Sequence, residues 1–255
     1  MHQLLLRGEP ISRVNGILFD KDGTLISSEE RLLKLAKSRI KEAIKAYAKY
    51  TKSKNDIEYL LSKAYGITAN GINPNGSMAI ASKKDNLIST ATIFSILGMS
   101  WSNSLQISHD IFQKATVKDT ESNNNESKDN LLPGVQNLLK ECNKKGIKLG
   151  VISNDTKDGI KQFLRNNNLE KKIPYFWSSE DYPPKPNPTS VKNLCKLMNL
   201  KVSECILIGD ADTDLKMARS SGTSLALGYT AGWKNPPLLY EHHHLLNHWD
   251  ELSFQ

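Results

Sequence analysis

The sequence predicts an α/β fold in three layers, a parallel sheet covered by helices on both faces, with a mainly helical module inserted into it. Three observations carry that prediction. Short, continuously apolar runs alternate with stretches of helical periodicity, the pattern of strands buried on both sides. Three of those runs end in acidic or hydroxyl side chains. A long helix-period stretch separates the first run from the others.

The first run, Val14 to Asp20 (VNGILFD), is followed by Gly23 and reads as a buried strand with its chemistry at the carboxyl end. From Ser28 onward Leu32, Leu33, Ala36, Ile40, Ala43, Ile44 and Tyr47 recur at helical spacing, with Ser28 as N-cap. Further helices are expected over Asp56–Tyr65, Met78–Leu97 and Ser102–Thr116, with a Gly- and Pro-containing loop from Asn70 to Ser77. The polar stretch Lys118–Asn130 reads as a flexible linker. Beyond it, helices are expected over Val135–Lys145, Gly159–Asn166, Thr189–Met198 and Asp214–Ser220. Strands are expected over Lys148–Ser153, Tyr175–Trp177, Cys205–Gly209 and Ser224–Leu227. The division is therefore a split core, residues 1–27 and 130–255, and a helical module over 28–129.

Composition narrows the function. The net charge is +7, but Lys34, Lys37, Lys41, Lys45, Lys49, Lys52 and Lys54 are dispersed without interleaved aromatics. That is a solvated helix face rather than a nucleic-acid platform. Leu4-Leu5-Leu6 is too short for a signal peptide, and no stretch reaches the about 18 apolar residues of a membrane span. Cys142, Cys195 and Cys205 lack disulfide or zinc spacing and read as buried, reduced thiols. The expectation is a soluble, cytoplasmic protein that binds neither nucleic acid nor membrane. Its oligomeric state is unreadable.

The chemistry-bearing groups sit at strand ends. The first strand ends Asp20-Lys21-Asp22-Gly23-Thr24, the second Ser153-Asn154-Asp155, and the third Gly209-Asp210-Ala211-Asp212-Thr213-Asp214. Lys185-Pro186-Asn187-Pro188 lies between the last two. In open α/β sheets ligands bind at the strands' carboxyl ends. Converging carboxylates repel unless a cation neutralises them, and a hard divalent ion such as Mg²⁺ suits oxygen ligands and substrate phosphate. A lysine and a serine hydroxyl beside them suit a phosphoryl group. Asp212 reads as a surface or helix-capping residue, Asp155 as a helix N-cap, and Lys21 as pointing away from Asp20 and Asp22. Trp101, Trp233 and Trp249 read as packing residues and His109 as structural. His242-His243-His244 and His248 read as a surface segment before a terminal helix.

The four ordered stretches DKDGT, ISN, KPNP and GDADTD, each after its strand, resemble the motifs of the haloacid dehalogenase superfamily. The helical insertion resembles the cap of its phosphoglycolate-phosphatase-like branch, on a Rossmann-like core. The resemblance implies a Mg²⁺-dependent phosphatase acting on a small phosphorylated metabolite, phosphoglycolate-like or a sugar phosphate. It implies that Asp20 attacks phosphorus and Asp22 serves as acid and then base. It implies metal binding by Asp20, Asp210, Asp214 and the Asp22 carbonyl. Ser153 and the Asn154 N–H would bind phosphoryl oxygens, with Lys185 balancing charge. Gly23 and Thr24 would shape the turn, and Ser28 would lie at the cap hinge. Alternatives within the resemblance are a hexose phosphate mutase and a non-catalytic phospholigand binder. Thr24 leans toward the phosphatase.

Overall fold

A computed structural model of the chain describes residues 1–48, 55–126 and 130–255, with only the backbone described for 55 and 117–126. Lys49, Lys52 and Lys54 of the lysine series, and the expected module boundary at 129, lie outside the described residues. The chain divides into two compact units, Met1–Ser28 with Asp129–Gln255, and Glu29–Lys128.

The first unit opens with strands β1 (His2–Leu6), β2 (Glu9–Val14) and β3 (Gly16–Phe19). The second contains helices α1 (Glu29–Tyr47) and α2 (Asn55–Tyr65), the short hairpin β4 (Ile67–Thr68) and β5 (Gly71–Ile72), and helices α3 (Ser77–Ile80), α4 (Lys83–Ile96) and α5 (Trp101–Glu126). The first unit then resumes with α6 (Val135–Lys144), β6 (Lys148–Ile152), α7 (Lys157–Asn166), β7 (Tyr175–Trp177) and α8 (Pro188–Leu197). It closes with β8 (Cys205–Gly209), α9 (Asp212–Ser221), β9 (Leu225–Tyr229), β10 (His244–Leu246) and β11 (Leu252–Phe254).

Six strands form one parallel sheet in the order β10-β9-β8-β3-β6-β7. The central strands are apolar throughout because both faces are covered. Along β3, Ile17 and Phe19 join a core with α6 and α7, whereas Leu18 joins the opposite core with α8 and α9. That alternation is the two-residue period of a strand read on both faces. Trp249 completes the first core, stacked on Tyr229 with centroids 4.6 Å apart.

Register sets the site. Phe19 pairs with Ile208 on one side and Val151 on the other. Asp20 continues the ladder, donating its N–H to the Ile208 carbonyl at 2.9 Å. Asp20, Gly209-Asp210 and Ile152-Ser153 therefore leave the sheet side by side.

In the second unit α1 packs on α2 and α5, and α4 packs on α2 and α5. Ala36, Ile40, Ala43, Ile57, Leu61, Ala91, Phe94 and Phe112 are buried. The buried Arg39 guanidinium stacks 3.9 Å from the centre of the Phe112 ring.

Several expectations are corrected. The expected helix over Met78–Leu97 is two helices, because Ser82 starts a new one by accepting the Asp85 N–H in a capping box. The polar stretch expected as a linker is helical through Glu126, as it holds neither Gly nor Pro to stop α5. The segment after the histidines holds no α-helix, only a three-residue 3₁₀ turn at Trp249–Glu251. It supplies β10 beside β9 and β11 beside β1, so tertiary pairing overrides its local pattern. The hairpin β1–β2 was also unforeseen, since Pro10 and alternating charges obscure β2; Pro is tolerated there because β2 is an edge strand. Cys142, Cys195 and Cys205 are buried and free of disulfides. Among the described residues no helix is long and apolar enough to cross a membrane.

Leu207 on β8 is fully buried, whereas Ile88 on α4 is 40% exposed. Leu207→Ala is expected to lower unfolding stability by about 2–5 kcal/mol. Ile88→Ala should change it by no more than about 0.5 kcal/mol. Urea denaturation of the two variants checks the contrast.

Candidate active site

Asp20 leaves β3, Asp210 leaves β8, and Asp214 lies in the first turn of α9. All three are buried, and each offers a carboxylate oxygen within 4.8 Å of the others. Lys185 brings its ammonium into the group, with Nζ 2.5 Å from Asp20 Oδ1 and 2.6 Å from Asp214 Oδ1. The same ammonium donates to the Ile152 carbonyl at 3.4 Å, which sets it at the end of β6. Lys185 thus bridges three elements at one sheet edge.

Asp210 is oriented by neutral donors. Thr24 Oγ1 donates to Oδ1 at 2.7 Å and Trp233 Nε1 donates to Oδ2 at 2.6 Å. Each carboxylate oxygen has two lone-pair sites, so both retain capacity for a cation. The turn that carries Thr24 closes on the Lys21 carbonyl, which accepts from the Leu25 N–H at 2.9 Å. Gly23 sits in it at φ +78°, and a Cβ there would come within 2.3 Å of Asp210 Oδ2 and of Trp233 Nε1. Gly232 approaches so closely that its own Cβ would lie 1.7 Å from the Gly23 carbonyl oxygen. The glycines are required for the approach, not merely tolerated.

Electrostatics follow from crowding. Burial pushes the Asp20 carboxyl well above the usual carboxylate range, Asp214 and Asp210 push the same way, and Lys185 opposes them. Burial and then Asp214 raise Asp210 to about 6, against the Thr24 and Trp233 hydrogen bonds. For Lys185 burial acts downward, yet Asp20 and Asp214 outweigh it and hold the ammonium above its ordinary value. Three hard oxygen ligands with excess negative charge are a donor set that fits a divalent cation.

Ser153 is buried at the end of β6, with its Oγ accepting the Asp155 N–H at 3.2 Å, and Asn154 follows it in the same loop. The Asp22 carboxylate is not part of the three-acid group: Ser28 Oγ donates to its Oδ1, and Lys21 Nζ lies 2.8 Å from its Oδ2. Asp212 also stays outside, accepting the Tyr240 and Glu241 N–H groups at 2.7 and 3.0 Å.

The sequence reading misplaced two residues. Lys21 does not point away from Asp22 but pairs with it, because the strand ends at Phe19 and strand alternation no longer applies. Asp155 is not the helix cap; Thr156 caps α7 by accepting the Gly159 N–H, and Asp155 pairs with Lys21 at 3.0 Å. Trp233 is buried, as expected of a packing residue, and the sequence reading missed that it also donates to Asp210. Its position just past β9, the neighbour of β8, was the available signal.

A family model for haloacid dehalogenase-like hydrolases matches residues 14–222. A phosphoglycolate phosphatase of Vibrio parahaemolyticus is 23% identical over 147 residues, 55% of this chain and 64% of that protein. One from Aquifex aeolicus is 27% identical over 96 residues, 37% and 45% of the two chains. The chain therefore matches less than two thirds of the length of these relatives. Among solved structures, a predicted phosphoglycolate phosphatase from Haemophilus somnus superposes with a TM-score of 0.61 at 20% identity, covering 89% of this chain and 90% of that one. A β-phosphoglucomutase from Clostridium difficile gives 0.62 at 17% identity, covering 93% and 92%. At these identities the likeness shows the fold.

Asp20 and Asp210 hold protons more tightly folded than unfolded. Their contribution to the cation-free fold is full at low pH and is lost as pH rises, for Asp210 through about 6. A divalent cation binds the deprotonated set and competes with those protons. Thermal unfolding with and without MgCl₂ is therefore expected to show a marked stabilising shift at about pH 8 and little at about pH 5. Equal shifts at both would contradict this electrostatic account.

Proposed function

The chain belongs to the haloacid dehalogenase-like hydrolase family, and from that premise we propose that it is a Mg²⁺-dependent phosphatase. Its substrate is a small phosphomonoester, phosphoglycolate-like or a sugar phosphate, hydrolysed through an aspartyl-phosphate on Asp20. The observation that carries this reading is the convergence of Asp20, Asp210 and Asp214 around the Lys185 ammonium. The names of the curated relatives support the phosphoglycolate end of the range. The three buried free thiols suit a reducing cytoplasm.

Lys185 grips one oxygen of Asp20, which leaves the other as the nucleophile. That oxygen attacks phosphorus in line, the ester P–O bond breaks, and Asp22, having taken up the proton that the phosphomonoester monoanion carries in, gives it to the departing alkoxide. Asp22 then takes a proton from water, whose oxygen attacks the same phosphorus. The Asp20–phosphorus bond breaks, inorganic phosphate leaves, and Asp20 is restored. Ser153 Oγ and the Asn154 N–H hold the outer phosphoryl oxygens, while Lys185 offsets their charge. Mg²⁺, held by Asp20, Asp210, Asp214 and the Asp22 carbonyl, would supply positive charge to the nucleophile and phosphoryl group.

Phosphate release over a panel of metabolite phosphates tests the reading. Turnover of at least one small phosphomonoester is expected with Mg²⁺, and chelation should remove it reversibly. Asp20→Asn should lower the rate by on the order of 10³ or more while the protein remains folded. Folded protein that releases phosphate from no panel member, or an Asp20→Asn variant that keeps its rate, would sink the proposal.

A further inference from the structure

The site contains a second buried lysine for which phosphoryl transfer as described has no use. Lys21 is 2% exposed, with its ammonium 2.8 Å from Asp22 Oδ2 and 3.0 Å from Asp155 Oδ2. It also lies 5.9 Å from the centre of the Phe163 ring. Burying an ammonium is costly unless anions pair with it, and an apolar side chain of similar length would fill the space without that cost. The charge therefore answers a need at this position.

The two partners point to what the need is. Asp155 is an anchored post: its Oδ1 accepts the Thr156 N–H at 2.8 Å, and its carbonyl accepts the Ser179 N–H at 2.9 Å and Ser179 Oγ at 3.1 Å. Asp22 is the side chain whose orientation matters, and it is gripped at both oxygens, by Ser28 Oγ and by Lys21. Asp155 also lies two residues beyond Ser153, so the bridge ties the turn after β3 to the loop after β6.

We propose that Lys21 is a positioning residue for Asp22, fixing its carboxyl to the Asp155 post so that it stands ready to serve the leaving oxygen. The proposal rests on the phosphatase reading above. Lys21 touches neither phosphorus nor the leaving group; it acts through Asp22.

The test exploits leaving groups. An alkoxide needs a proton as it departs, whereas p-nitrophenolate leaves without one, so only the former depends on where Asp22 stands. Lys21→Met keeps the length and removes the charge. With the alkyl phosphate best turned over in the panel, kcat is expected to fall by about tenfold or more with KM within about twofold. The first-turnover burst of p-nitrophenolate from p-nitrophenyl phosphate is expected to keep its wild-type rate. Asp155→Asn retains the acceptor for the Thr156 N–H and removes the anion facing Lys21. It should show the same split, smaller in size, and it carries the test alone if Lys21→Met does not fold. Equal losses on both substrates would mean a merely structural lysine, and no loss on either would mean no role; each result overturns the proposal. Active wild-type enzyme with an unsplit variant defeats this inference only. Inactive wild type defeats the phosphatase reading and this inference with it.

Discussion

Everything at the carboxyl edge of the sheet answers one constraint: three buried carboxylates brought together by parallel strands and one helix turn repel one another. In a low-dielectric setting such a group cannot remain fully ionised without compensation. The chain supplies part of it through the Lys185 ammonium and part through the Thr24 and Trp233 donors on Asp210. What remains is an unmet demand for positive charge, visible in the upward displacement of Asp20 and Asp210. A hard divalent cation is the kind of ion whose charge and ligand preference fit that demand.

The two buried lysines divide the electrostatic labour. Lys185 stands among the three acids and pairs with Asp20 and Asp214. Lys21 stands on the other side of the same turn, between Asp22 and Asp155. Because successive residues 20, 21 and 22 turn out of the strand, neighbouring side chains serve different charge clusters although their α-carbons adjoin. The tight turn at Gly23 is wedged against Trp233 and Gly232.

The sequence made the central sheet legible because its strands are buried on both faces and so read as unbroken apolar runs: GILF, KLGVI and CILIG need no partner to be recognised. The convergence of Asp20, Asp210, Asp214 and Lys185 was legible for the same reason, each following or lying between such runs. The edge strands were not. β2 carries Glu, Pro, Ser and Arg, and β11 is three residues long; they exist because β1 pairs with both. Lys21 was misread, and the Trp233 bond to Asp210 missed, because these contacts come from residues distant in sequence, to Asp155 from the next strand's loop and to Asp210 from a loop 23 residues away. Periodicity describes a residue's own element and is silent on such meetings. The helical stretch through Glu126 shows the converse: polarity alone does not unmake a helix.

The stem of the insertion has a wider consequence. Where the chain leaves the first unit, Ile26 bridges Leu131, the Leu132 N–H donates to the Leu25 carbonyl at 2.9 Å, and the Ser27 N–H donates to the Asn130 carbonyl at 3.4 Å. The departing and returning strands of chain are clasped side by side, so the sheet feels the intervening hundred-odd residues only as a closed loop. The entropy of closing a loop grows with the logarithm of its length, about 0.6 kcal/mol for each doubling. A scaffold clasped in this way can exchange one intervening module for another of different size at small thermodynamic penalty. The sheet and the intervening unit are then free to vary independently.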